Sequence, residues 1–209
     1  MEALGMFGVI MAYIWKFRFT YPKFWLPALG MILISQVARS SGGPMLGFEA
    51  ANFKNCARRF GPSLLGFAAA LLSLGLLFGT IRPIGWEQSL GVFAMYLPWG
   101  LFQQFLLNGY FLKRFDMSLS PHVAAGLAAV LFCVVHTPNW FLMVVTLVGG
   151  YVAVWAYRQH QDFYFLGVAH AMIGSVLFLV VPDSVSHHLN IGPGLHAAAK
   201  TLHSLLYSV

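Results

Sequence analysis

Long uncharged runs separated by short polar breaks constrain this chain more than any other feature. Residues 64–78, 90–112, 123–136, 140–157 and 163–181 contain no Asp, Glu, Lys or Arg. Charged residues are 9% of the 209 positions and mean hydropathy is +0.74, against about 25% charged in a soluble domain. Such a chain cannot cover a water-facing surface. A hydrocarbon layer about 30 Å thick takes about 20 apolar residues per helix. The sequence therefore predicts an all-α, multi-pass transmembrane bundle of about six to seven helices. Residues 1–209 form a single integral membrane domain in this reading.

The net charge of +6 does not point to nucleic acid. The twelve Lys and Arg sit in the gaps between apolar runs, where orientation-setting charges and anionic-lipid contacts belong. Cys56 and Cys133 are the two cysteines, and Cys133 lies inside an apolar run, so no disulfide framework is expected. The opening residues lack a basic start and a small-x-small cleavage site, and read as a retained first helix or an interfacial segment.

Residues 3–15 are apolar but short for a crossing, and 24–37 form a second run containing Pro27. Between 39 and 60, basic and polar positions alternate with Phe48, Phe53 and Phe60, which predicts an amphipathic helix lying in the headgroup region. Thr137-Pro138-Asn139 predicts a very tight connection, and the His-rich tail from 182 to 209 is expected at one surface. If 3–15 and 24–37 both cross, seven Lys and Arg fall on the side of 38–61, 113–122 and 158–162, and five on the other. That difference favours the first side as cytoplasmic, as in a multi-pass protein of an inner or plasma membrane.

Polar groups are costly in hydrocarbon, so those inside the runs are functional candidates. They are Gln103, Gln104 and Asn108 on one run, His136 on the next and His170 on the last. Gln104 and Asn108 are spaced i, i+4 and share a helix face, as do Phe132 and His136, and His170 and Gly174. Gly174 would leave space beside His170 or allow a close helix approach. The bland alternatives are imidazoles bonded to helix backbone, and Gln103 and Gln104 acting as interhelical glue. His136 and His170 would lack the third strong ligand of a catalytic zinc site, so no cofactor is expected. Cys133, three positions before His136, sits in an apolar setting unsuited to a nucleophile. His187, His188, His196 and His203 match no zinc spacing and read as solvated.

These segments, in this order, resemble the CAAX-protease and bacteriocin-processing family of intramembrane proteases. Its members carry Glu-Glu-x-x-x-Arg-Gly, then Phe-x-x-x-His, then His-x-x-x-Asn. This chain reads Gln103-Gln104-Phe-Leu-Leu-Asn108-Gly109, then Phe132-Cys-Val-Val-His136, then His170-Ala-Met-Ile-Gly174. The likeness extends over residues 47–181. It implies a catalytic constellation at Gln103, Gln104, Asn108, His136 and His170, acting on a membrane-associated peptide or lipidated substrate. In that family the first Glu is held to activate water, and the histidines and Asn to position it or stabilise the oxyanion. Here amides replace both Glu and the Arg, and Gly174 replaces the Asn. An amide has no basic form near neutral pH, though it can bond a carbonyl or hold a water. Glu87 precedes Gln103 by roughly 24 Å along a helix and cannot substitute. Two expectations follow: a divergent endopeptidase or related hydrolase with an imidazole base, or a non-catalytic protein binding a peptide, lipid headgroup or partner helix at the altered site.

Overall fold

A computed structural model describes residues 2–39 and 52–194, and the described residues form helices joined by short turns. Helix α1 (Glu2–Ala12) runs on through a π turn at Tyr13–Phe17 and a short piece at Arg18–Thr20. It is followed by α2 (Trp25–Arg39), α3 (Phe53–Leu77) and α4 (Trp86–Gln104). The last of these continues without a break as a π-helix, Phe105–Leu112, and a final turn, Lys113–Asp116. Then come α5 (Pro121–Val134), α6 (Trp140–His160) and α7 (Phe163–Val180). Four helices among the described residues are long and apolar enough to cross a bilayer: α3, the whole of Trp86–Asp116, α6 and α7. The apolar α5 is shorter.

Contacts between helix ends order the bundle. Glu2, Ser35, Arg114, Asp116 and Arg158 meet at one end through the Ser35–Glu2 hydrogen bond and the Arg114–Glu2 (3.6 Å) and Arg158–Asp116 (2.5 Å) ion pairs. Arg82 and Asp183 pair at the opposite end, where Arg82 N also donates to Leu179 O at 2.9 Å. Successive helices α1 to α7 thus alternate in direction, and the paired charges lie at their ends. That is the arrangement a low-dielectric slab demands of ions.

One expectation is corrected. Residues 53–60, read as part of a separate headgroup helix, are the first turns of α3 and pass through Gly61 and Pro62 into the apolar run. The ring of Phe53 packs on Phe165 at 6.0 Å, and Phe60 on Trp155 and His160 at 5.5 and 5.7 Å. Edge-on ring packing against α6 and α7 holds this segment in the bundle, and a proline is tolerated in such a helix. Residues 47–51 lie outside the described residues, as do His196 and His203. The opening run is likewise longer than 3–15, because the helix persists through the π turn to Thr20.

Helices α4 and α7 approach closely enough for their backbones to meet. A Cβ added at Gly100 would lie 2.7 Å from Gly167 O and 3.1 Å from Ala171 N, and one at Gly167 would lie 2.5 Å from Leu101 Cδ2. Two glycines therefore let the backbones touch. One turn away, Tyr96 fills the space over Gly174, whose added Cβ would be 2.9 Å from Tyr96 Cδ1. Gly174 thus serves close approach and leaves no gap beside His170. Gly100→Ala is expected to destabilise the bundle by about 1–3 kcal/mol through overpacking against backbone. Gly91→Ala, with open space around it, is the control, and thermal unfolding in detergent compares the two.

Candidate functional site

The close approach of α4 and α7 sets Gln104 beside His170. Gln104 Nε2 donates to His170 Nδ1 at 3.3 Å, and Asn108 Nδ2 donates to Gln104 Oε1 at 2.9 Å. Gln104 is 3% exposed and Asn108 is 0% exposed, so these amides exchange water for one another. The i, i+4 pairing read from the sequence is therefore a hydrogen bond, and the chain it forms crosses to a second helix.

The register of Asn108 is set partly from outside α4. The π-helix Phe105–Leu112 buries seven of its eight residues, and buried Gln36 of α2 donates to Gly109 O at 2.9 Å. Single π turns concentrate at functional sites because they re-aim side chains without ending the helix. Beyond them, Arg114 donates to Ser35 O at 3.0 Å, and its guanidinium lies over the Tyr110 ring at 5.1 Å. Helix α2 is thereby tied along the π segment.

His136 follows the last turn of α5 and is 5% exposed. Its Nδ1 lies 2.6 Å from Phe132 O. A carbonyl only accepts, so Nδ1 carries the proton and Nε2 presents a lone pair. At His170 the logic reverses. The amide nitrogen of Gln104 only donates, so Nδ1 accepts and the ring proton sits on Nε2. Phe132 lies between the two imidazoles, edge-on to His136 at 5.1 Å and to His170 at 6.1 Å. Its fit depends on Gly150, whose added Cβ would be 2.9 Å from Phe132 Cδ1.

Gln103 stands apart from this network. It is 8% exposed, and its Oε1 is buried with no hydrogen-bond partner, as is Asn108 Oδ1. The structure thus links Gln104, Asn108 and His170 directly, brings His136 alongside through Phe132, and joins Gln103 to none of them by a hydrogen bond. Cys133 is a free, half-buried thiol. Among the described residues, no three His, Cys, Asp or Glu side chains gather in one place.

Asn139 is a further organising residue. It is fully buried, and its Oδ1 accepts from Leu142 N at 3.1 Å, capping α6. Its Nδ2 donates to Ser186 O at 2.8 Å and Asn190 O at 3.0 Å. An Asn just before an apolar helix is an N-cap signal in sequence, but its tie to the tail is tertiary. The exposed His187 and His188 lie on that tail.

These helices and the buried amide–imidazole cluster define a class: a membrane-helix bundle with a polar interior site. Residues 85–176 match the family model described as Rce1-like, type II CAAX prenyl endopeptidase Rce1-like. The matched segment starts just before α4 and carries Gln103, Gln104, Asn108, His136 and His170. Over that segment the chain is similar to the CAAX endopeptidase family, and its four long apolar helices are those of an integral membrane protein. No curated protein and no solved structure matches it.

The amide chain makes a specific energetic prediction. Gln104→Leu strands the Asn108 donor and the His170 acceptor, at about 1–3 kcal/mol for each buried group left unmade. Asn108→Leu should cost less, because one partner of Gln104 remains. The double variant should be less destabilised than the sum of the singles, by about 0.5–3 kcal/mol of coupling. Unfolding titrations of all four proteins in mixed micelles measure that coupling, and strict additivity would show the pair to be independent.

Proposed function

We propose that this chain is a recognition protein built on the CAAX-protease frame, which binds a membrane-associated peptide or lipidated peptide at the buried site without hydrolysing it. The observation that carries this reading is where the carboxylates are. Glu2 lies with Ser35 and Arg114, Asp116 with Arg158, and Asp183 with Arg82. Asp162 accepts from Phe165 N as the cap of α7, and Glu87 is exposed at the start of α4. Glu49 lies outside the described residues. None of the five described acids hydrogen-bonds to Gln104, Asn108, His136 or His170. A water nucleophile generated at this site would have an imidazole as its base, with no anion to stabilise the imidazolium.

Neutral groups of both hydrogen-bonding senses suit recognition instead. His136 Nε2 offers an acceptor and His170 Nε2–H a donor, while Gln103 Oε1 and Asn108 Oδ1 lack donors of their own. A peptide group brings one N–H and one C=O. The same opposed tautomers favour a second reading, slow hydrolysis with His136 as base and His170 as the donor to an oxyanion.

Purified protein in liposomes, offered a prenylated peptide and a leader peptide, separates the two readings. The expected result is saturable binding that weakens in His136→Ala plus His170→Ala, with no cleavage above a protein-free control. Cleavage by the native chain that disappears in the double variant would overturn the binding reading and leave the histidine hydrolase. Gln103→Glu plus Gln104→Glu is expected to leave turnover absent or raise it, since it adds the missing acids.

A further inference from the structure

The segment after α7 crosses back over the turn that carries His136, and four separate contacts hold it there. At its start, Arg82 pairs with both oxygens of Asp183, with Nη1 to Oδ2 at 2.8 Å, while its Nε donates to Phe178 O at 2.5 Å and its guanidinium covers the Phe178 ring at 4.5 Å. In the middle, Asn139 bonds the carbonyls of Ser186 and Asn190. Further on, Gly192 N donates to Thr137 O at 2.8 Å, one residue from His136. At the end, Gly192 packs on α1's extension, where an added Cβ would meet Ile14 Cγ2 at 2.9 Å. The left-handed backbone at Gly192, φ 61°, suits glycine.

The turn beneath is locked by the same residues. Asn139 N donates to His136 O at 3.0 Å, and His136 N to Cys133 O at 3.0 Å. One buried residue, Asn139, therefore caps α6 and anchors the tail with its side chain and closes the His136 turn with its backbone N–H. Arg82 lies between α3 and α4, so the tail also gathers that connection.

We propose that residues 182–194 are a strap that holds the His136 turn closed over the buried site, and that release of the Arg82–Asp183 clamp loosens strap and turn together. The functional meaning of this closure rests on the buried site being the working one, but the coupling itself does not. A strap fixed to two interhelical connections and to the extension of α1 governs how His136 reaches a ligand.

Amide hydrogen–deuterium exchange on the full chain in lipid nanodiscs tests this without any ligand. Asp183→Asn is expected to speed exchange several-fold in 182–194 and, in parallel, in 135–139, while 163–176 keeps its protection. The charge-swapped Arg82→Asp plus Asp183→Arg protein should recover part of that protection. Faster exchange in 182–194 with 135–139 unchanged would overturn the proposal, as would no change in either. If Asp183→Asn unfolds the bundle, Gly192→Ala is read instead, since it strains the far end of the strap and should loosen the same two segments together. Failure here removes the strap and leaves peptide binding standing; failure of peptide binding leaves this coupling intact.

Discussion

A side chain at Gly100 would reach 2.7 Å from Gly167 O, and one at Gly167 would reach 2.5 Å from Leu101, so α4 and α7 touch only because both positions lack a Cβ. In a bilayer, helices gain little from hiding apolar surface, and association relies on close packing and on polar contacts that have nowhere else to go. The glycine contact supplies the first and delivers the second. It brings Gln104 within 3.3 Å of His170, and the amide of Asn108 then completes a chain whose members would otherwise be costly orphans. Tyr96 over Gly174 extends the same seam by one turn.

Charge is handled by exclusion from this seam. The ion pairs Glu2–Arg114, Asp116–Arg158 and Arg82–Asp183 sit at helix ends. The Arg82 guanidinium holds the Asp183 carboxyl below its ordinary value of 3.8. A depressed carboxylate contributes stability above its unfolded value, and that contribution is lost as pH falls through the lower folded value. The clamp is therefore fully engaged at neutral pH. The α4–α7 seam itself carries neutral amides and imidazoles, and the opposed tautomers of His136 and His170 are fixed by one backbone carbonyl and one amide. Of the two positions where the family resemblance implies a carboxylate, Gln104 is a hydrogen-bonded amide and Gln103 stands outside the network.

Much of this was legible in the residues. Uncharged runs located the helices of the matched region to within a few residues, because nothing else can lie in hydrocarbon. The rarity of polar groups there singled out Gln103, Gln104, Asn108, His136 and His170, and i, i+4 spacing paired Gln104 with Asn108. Other features were not legible because they are decided between elements. Periodicity could not say that Gln104 faces His170 while Gln103 does not, since a one-residue step turns a helix by about 100°. The π segment depends on tertiary ties such as Gln36 to Gly109 O. Residues 53–60 read as part of a headgroup helix separate from the run at 64–78, yet aromatic packing of Phe53 and Phe60 joins them in α3 through Gly61-Pro62. Asn139 looked like part of a tight turn, and its bonds to Ser186 and Asn190 appear only when the tail folds back.

The central claim is that the site is an uncharged network with two imidazoles locked in opposite tautomers. Nitrogen-15 NMR of histidine-labelled protein in nanodiscs at neutral pH reads this directly, with His136→Gln and His170→Gln variants assigning the signals. The account predicts His136 protonated at Nδ1 and His170 at Nε2. Finding both rings in the same tautomer, or His170 protonated at Nδ1, would contradict it.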